Sequence, residues 1–81
     1  MMDELKLNLN TDIDQTLQSQ LQQQLYRSIR KGRLPSGTRL PSSRRLARQL
    51  GVARITVINA YDELISHGYI KSRPRSGYFV P

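Results

Sequence analysis

Two short apolar stripes separated by one glycine constrain the fold of this 81-residue chain. Between residues 43 and 50, and again between residues 54 and 67, apolar side chains recur at the spacing that buries one face of a helix. They are Leu46, Ala47 and Leu50 in the first stripe, and Val57, Ala60, Tyr61 and Leu64 in the second. Gly51 and Val52 lie in the turn between the stripes. This pattern predicts a helix-turn-helix, a motif whose second helix enters the major groove of DNA.

Positive charge is concentrated in the part of the chain that carries the motif. The formal net charge is +7; residues 1–26 contribute −3 and residues 27–81 contribute +10. Most of the cations are arginines, which suit phosphate and guanine recognition better than lysines do. A solvated, solubilising surface is an equal alternative for the charge taken alone.

The DNA-binding domain of GntR-family bacterial transcription regulators resembles three segments of this chain: LPSSRRLARQLGV, ARITVINAYDELISHGYI and SRPRSGYFV. The resemblance covers about residues 16–81 and is strongest to the MocR branch, whose full members carry an aminotransferase-like effector domain. It implies a winged helix-turn-helix of the α+β class, mainly α, in which three helices are followed by an antiparallel β-hairpin, the wing. It also implies a regulator that binds double-stranded operator DNA.

The chain is expected to divide into an N-terminal arm over residues 1–13 and a winged helix-turn-helix domain over residues 14–81. Gly32 and Gly68 are placed to end helices. The expected elements are helix 1 at about 15–31, helix 2 at about 43–50, helix 3 at about 54–67 and the wing at about 69–80. The resemblance implies that a short strand at 38–40 pairs with the wing.

Alternating leucines at the N-terminus, Leu5, Leu7 and Leu9, predict either a very short edge strand or an arm that orders only against a partner. A frayed terminus is the preferred interpretation, because the first residues of a domain are seldom ordered unless something holds them. No residue of this segment belongs to the predicted site.

The starts of the two motif helices carry unusual residues. Ser42 is the expected N-cap of helix 2, but Arg45 stands where GntR domains commonly have the Glu of a capping box. Arg44 and Arg45 thus lie at the positive end of a helix, which is unfavourable unless a DNA phosphate binds there. Ala53 stands where the family usually has Ser or Thr, and it cannot cap helix 3.

The face of helix 3 opposite its apolar stripe presents side chains that suit base recognition. Arg54 is expected to reach guanine or phosphate and Asn59 to read adenine, while Thr56 is expected either to hydrogen-bond phosphate or to pack its methyl group. Ile55 and Ile58 could contact thymine methyl groups. For Ile58, a place in the core is an equal alternative.

The wing completes the predicted site. Ile70 and Phe79 are expected to pack on the helices while Lys71, Arg73 and Arg75 face outward. A plain solvent-facing hairpin is the alternative for these cations. The motif helices and the wing together give the predicted DNA-binding set: Ser42, Ser43, Arg44, Arg45, Arg54, Ile55, Thr56, Ile58, Asn59, Arg73, Arg75, Ser76 and Gly77.

The sequence lacks the patterns of catalytic and metal sites. It has no Cys, no phosphate-binding glycine loop and no cluster of zinc ligands. The only histidine, His67, is expected to interact with a helix dipole. The chain is therefore predicted not to be an enzyme. No cofactor is assigned to it, because the lysine that would hold pyridoxal phosphate belongs to an effector domain outside this sequence.

Two function classes remain from the sequence. Arginines at both helix starts and in the wing favour a DNA-binding domain, whose effector domain and homodimer partner belong to a longer regulator. A winged-helix protein-interaction adaptor is the alternative, because a fold alone does not fix a function. No signal peptide or long apolar segment is recognised, so a cytoplasmic location is expected.

Overall fold

The computed structural model describes residues 7–75 and 77–81. Its elements are, in chain order, α1 (Leu17–Arg30), β1 (Arg39–Leu40), α2 (Ser43–Leu50), α3 (Arg54–Ser66), β2 (Lys71–Arg73) and β3 (Gly77–Phe79). The strands form one antiparallel sheet in the order β1-β3-β2. This arrangement confirms the predicted winged helix-turn-helix, and the strand before the motif pairs with the wing as expected.

Side-chain hydroxyls cap the first two helices. The Thr16 hydroxyl accepts a hydrogen bond from the Ser19 amide at 3.0 Å, and the Ser42 hydroxyl accepts one from the Arg45 amide at 3.1 Å. Helix α2 ends at Gly51, whose φ of 69° lies in the left-handed region that glycine adopts without strain. Within the described residues, no helix combines the length and hydropathy needed to cross a membrane.

The core forms where α1 and α2 pack against α3 and the sheet closes one side. Burying each leucine of this core contributes about 2 kcal/mol. The hydroxyl of the fully buried Tyr61 finds a partner in the carbonyl oxygen of Pro41, 2.7 Å away. Burial also raises the pKa of Tyr61 well above its usual range. The largest fully buried side chains are Tyr61, Leu21, Leu25, Leu34, Leu46, Ile70 and Val57.

Two glutamines of α1 hold the segment that precedes the helix. The Gln24 side-chain amide exchanges two hydrogen bonds with the backbone of Asn8, at 2.8 and 2.5 Å. The Gln20 amide does the same with Asn10, at 2.7 Å each. The preferred interpretation of a frayed terminus is therefore wrong for residues 8–10. Two side-chain amides one helical turn apart bond the backbone of this stretch, as a neighbouring strand would. Leu5 lies outside the described residues.

The wing presents a different aromatic residue to the helices than the sequence predicted. Tyr78 packs on the core, with its ring centroid 4.4 Å from that of Tyr61. Phe79 lies on the opposite face of the sheet, so the expectation that it packs on the helices is wrong. Successive strand residues point to opposite faces, and Val80, like Tyr78, faces inward. Ile70 is fully buried, as predicted.

Candidate nucleic-acid interface

The first residues of α2 and α3 lie in contact. The Nε–H of Arg54 donates a hydrogen bond to the Ser43 hydroxyl oxygen at 3.2 Å. Ser43 is only 5% exposed, whereas the Arg54 side chain is exposed. The contact holds the starts of the two motif helices side by side at one surface of the domain.

The start of α2 is a concentrated positive site. Arg44 and Arg45 are exposed, and the first turn contains no acidic residue. Across residues 7–75 and 77–81, the only close contact between a basic and an acidic side chain joins His67 to Glu63 at 3.3 Å, at the other end of α3. Because the helix dipole adds to the charge of the two arginines, the potential at this helix start is positive.

The start of α3 has no side-chain cap, as the sequence predicted. Ala53 adopts the extended conformation of an N-cap residue, with φ −64° and ψ 142°, but it offers no hydrogen-bond acceptor on its side chain. Helix α2, in contrast, has the Ser42 hydroxyl as its cap. The Thr56 amide, which corresponds to the capped Arg45 amide of α2, donates instead to the backbone carbonyl oxygen of Ala53 at 3.0 Å.

The outer face of α3 presents polar and apolar groups together. Arg54 and Asn59 are exposed, and Ile55 is 57% exposed, which is unusual for a side chain of its size. Thr56 and Ile58 are half-buried. Ile58 is not among the side chains that pack on the core, so the position keeps enough exposure for a contact with a ligand.

The tip of the wing combines positive charge with an unfavourable backbone conformation. Arg73 pairs with Gly77 across the hairpin. Arg75, between them, has a φ of 70°, in the left-handed region that costs most side chains free energy. Gly77 has a φ of 85° and bears no side chain to block a close approach. The predicted contribution of Ser76 lies outside the described residues.

A basic face on the sheet was absent from the predicted site. Arg39 and Lys71 pair with Phe79 from either side, so all three side chains share the face turned away from the helices. The Arg73 guanidinium lies over the Phe79 ring, 4.6 Å from its centroid. The alternation of side chains along a strand could have revealed this face. Once Tyr78 is assigned to the core, Phe79 and the residues paired with it must lie on the opposite face of the sheet.

The other end of α3 has a different chemistry. The rings of Tyr26 and Tyr69 are in contact, tilted by 51° with their centroids 4.6 Å apart, and Arg30 donates a hydrogen bond to the Tyr26 hydroxyl at 2.7 Å. The neighbouring Tyr26 hydroxyl raises the pKa of Tyr69. Asp62 and Glu63 are also exposed in this half of the helix. The interface is therefore polarised, with its cations at the start of α3 and the acidic residues further along the same helix.

A winged helix-turn-helix with cations at both helix starts and in the wing defines a DNA-binding domain of a transcription regulator. The chain belongs to the GntR family of bacterial regulatory proteins, whose family model matches residues 17–80. It is 45% identical over 74 residues to the probable rhizopine catabolism regulatory protein MocR of Rhizobium meliloti, covering 91% of this chain and 15% of MocR. Several other curated relatives are likewise matched over only 13–17% of their own length.

Solved structures show the same architecture. YtrA from Sulfolobus acidocaldarius, a GntR-family transcription factor, superposes with a TM-score of 0.85 at 34% identity, covering 91% of this chain and 78% of YtrA. The DNA-binding domain of AraR, in complex with its operator ORE1, superposes with a TM-score of 0.78 at 25% identity. That match covers 95% of this chain and 94% of the AraR domain.

Proposed function

We propose that this domain recognises a specific operator sequence in double-stranded DNA, with α3 in the major groove and the wing on the minor groove or the adjacent phosphates. The observation that carries the proposal is the exposed start of α3, where Arg54, Ile55 and Asn59 face outward beside the cations of α2. The similar AraR domain is in complex with an operator, which supports the same use of this surface.

Base recognition is assigned to α3. Arg54 hydrogen-bonds guanine or a phosphate, Asn59 hydrogen-bonds adenine, and Thr56 contacts phosphate. Ile55 and Ile58 contact thymine methyl groups, which explains why a residue as apolar as Ile55 is left in solvent. Contacts of this kind discriminate between base pairs, because each pair presents a distinct pattern in the major groove.

Phosphate binding is assigned to the start of α2 and to the sheet. Arg44 and Arg45 lie at the positive end of α2, where a phosphate relieves the repulsion between their charges and the helix dipole. Arg73, Arg75 and the Gly77 backbone contact the sugar-phosphate chain from the wing. On the outer face of the sheet, Arg39 and Lys71 add two cations to the predicted set.

The larger protein is also part of the proposal. The chain matches only 15% of the length of MocR, so we infer that it works as one domain of a longer cytoplasmic regulator. In that regulator, an aminotransferase-like domain outside this sequence would bind pyridoxal phosphate and join two copies into a homodimer. This chain would contribute DNA binding and no catalysis.

A binding experiment tests the proposal directly. Duplexes selected by the domain from a random pool are compared with shuffled versions of the same composition, at about 50 mM and 200 mM salt. We expect preference for the selected duplexes and a steep loss of affinity with salt. Equal binding to both would show that the domain supplies only electrostatic attraction. Absence of binding at low salt would contradict the proposal and favour a protein-interaction adaptor.

A further inference from the structure

We propose that Ser43 is a positioning residue, which holds the Arg54 guanidinium ready for base recognition and does not itself contact DNA. The sequence placed Ser43 among the DNA-binding residues, but its side chain is almost fully buried and faces Arg54. This inference rests on the proposed function, because it assigns to Ser43 a task that matters only if Arg54 reads a base.

The atom that Ser43 engages explains how it acts. A guanidinium carries one N–H on Nε and four on its two terminal nitrogens, and all five lie in one plane. The Ser43 hydroxyl accepts the Nε–H of Arg54 at 3.2 Å, which fixes that plane and leaves the terminal nitrogens for a ligand. An arginine that approaches guanine end-on uses those terminal nitrogens for its two hydrogen bonds.

Two adjacent serines at the start of α2 therefore have separate tasks. The exposed Ser42 uses its hydroxyl to cap the helix, accepting from the Arg45 amide at 3.1 Å. The hydroxyl of Ser43 is instead directed at the first residue of α3. Ala53 gives α3 no capping side chain, whereas the Ser43 hydroxyl of α2 contacts the side chain of its first residue, Arg54.

Holding Arg54 in advance increases selectivity for a physical reason. A long, exposed arginine loses rotamer freedom when it binds a base, and part of that loss has already occurred when Nε is held. A held guanidinium also reaches a guanine in the correct geometry but cannot swing easily to an alternative acceptor. Ser43 thus links the helix that binds phosphate to the residue that reads sequence.

The test compares base preference among variants on a duplex that the 81-residue domain has selected from a random pool. Arg54→Ala first identifies the base pair whose preference it abolishes. We expect Ser43→Ala to reduce the preference at that same base pair by about 3- to 10-fold, with other positions unchanged. The slope of affinity against salt should stay the same, because no phosphate contact is lost. Ser43→Thr, which keeps the hydroxyl, should restore the preference.

A second measurement needs no DNA. In the free domain, the Nε–H of Arg54 should give a resolved, slowly exchanging NMR signal, because it is hydrogen-bonded. Ser43→Ala should remove that signal and Ser43→Thr should retain it. If Ser43→Ala does not fold, the nearly isosteric Ser43→Cys serves instead, since its sulfur is a weak acceptor.

The outcomes separate this inference from the proposed function. If Ser43→Ala weakens binding to all duplexes equally, Ser43 is a structural residue and the inference is overturned. An unchanged base preference in Ser43→Ala, while Arg54→Ala loses it, would also overturn the inference and leave the proposed function intact. If the unsubstituted domain shows no base preference at all, both the inference on Ser43 and the proposed function are overturned.

Discussion

The Tyr61 hydroxyl in α3 donates a hydrogen bond to the carbonyl oxygen of Pro41, 2.7 Å away, at the residue that precedes the N-cap of α2. This bond connects the recognition helix to the point where the chain leaves β1 and enters the helix-turn-helix. It satisfies a hydroxyl that would otherwise be buried without a partner. The relative position of α2 and α3 therefore depends on a polar contact as well as on apolar packing.

We expect Tyr61→Phe to lower the free energy of unfolding by about 1–2 kcal/mol, because it leaves the Pro41 carbonyl without this donor. Urea denaturation measures the change. Tyr26→Phe is the matched control: its hydroxyl accepts from Arg30 near the surface, so its loss should cost clearly less. Equal losses in the two variants would contradict a special role for the Tyr61 contact.

Burial of Tyr61 also predicts a dependence of stability on pH. Because the folded pKa is raised above the unfolded value of 10.0, the unfolded chain releases this proton first as the pH rises. The contribution of Tyr61 is therefore complete below pH 10.0 and decreases above it. Denaturation curves between about pH 9 and 11 should show a shallower decline for Tyr61→Phe than for the unsubstituted domain. Parallel declines would contradict this assignment.

The uncapped start of α3 predicts a stabilising substitution. Ala53 already has the backbone conformation of an N-cap, so Ala53→Ser adds a side-chain acceptor for the first-turn amides without moving the chain. We expect a gain of about 1 kcal/mol, measured by thermal or chemical unfolding. Ser42→Ala removes the corresponding cap of α2 and should lose a similar amount. No gain in Ala53→Ser would show that the amides already have equivalent partners.

The conformation of Arg75 predicts that stability and DNA binding respond in opposite directions at the wing tip. Arg75→Gly removes a side chain from a left-handed position and should stabilise the domain by about 1 kcal/mol. It should also reduce the slope of log affinity against log salt by about one, because one phosphate contact is lost. Arg75→Ala is the control, since it loses the charge but keeps the strain.

The basic face of the sheet predicts a phosphate contact at a residue outside the original set. Arg39→Gln should weaken binding to every duplex by the same factor and lower the salt slope by about one. Arg30→Gln makes the same change in charge near the opposite end of α3, where Arg30 contacts Tyr26, and it should leave the slope nearly unchanged. If the two variants behave alike, only the overall charge matters.

Much of the fold could be predicted from the sequence because hydrophobic spacing and capping residues specify helices locally. The stripe around Leu46 and Leu50 and the stripe from Val57 to Leu64 both became buried helix faces. The strands were harder, since β2 and β3 have three residues each and offer too few positions to fix which face is buried. Phe79 was assigned to the wrong face for that reason.

The hydrophobic pattern also could not predict the contacts made by side-chain amides. Gln20 and Gln24 have no apolar signal, yet they hold the backbone of Asn8 and Asn10 against α1. In the candidate site, the exposed positions on α3 follow from helical periodicity. The contact between Ser43 and Arg54 does not, because it joins different helices and depends on their relative position. The DNA contacts of individual residues stay predictions.

The central claim is that α3 reads sequence while the start of α2 binds phosphate. The most direct measurement is the affinity of Arg54→Ala and Arg45→Ala for a selected duplex and for every single-base variant of it. The account predicts that Arg54→Ala abolishes a preference of about 10-fold or more at one base pair, whereas Arg45→Ala weakens all the duplexes alike. Equal losses on every duplex for both variants would contradict the division of roles.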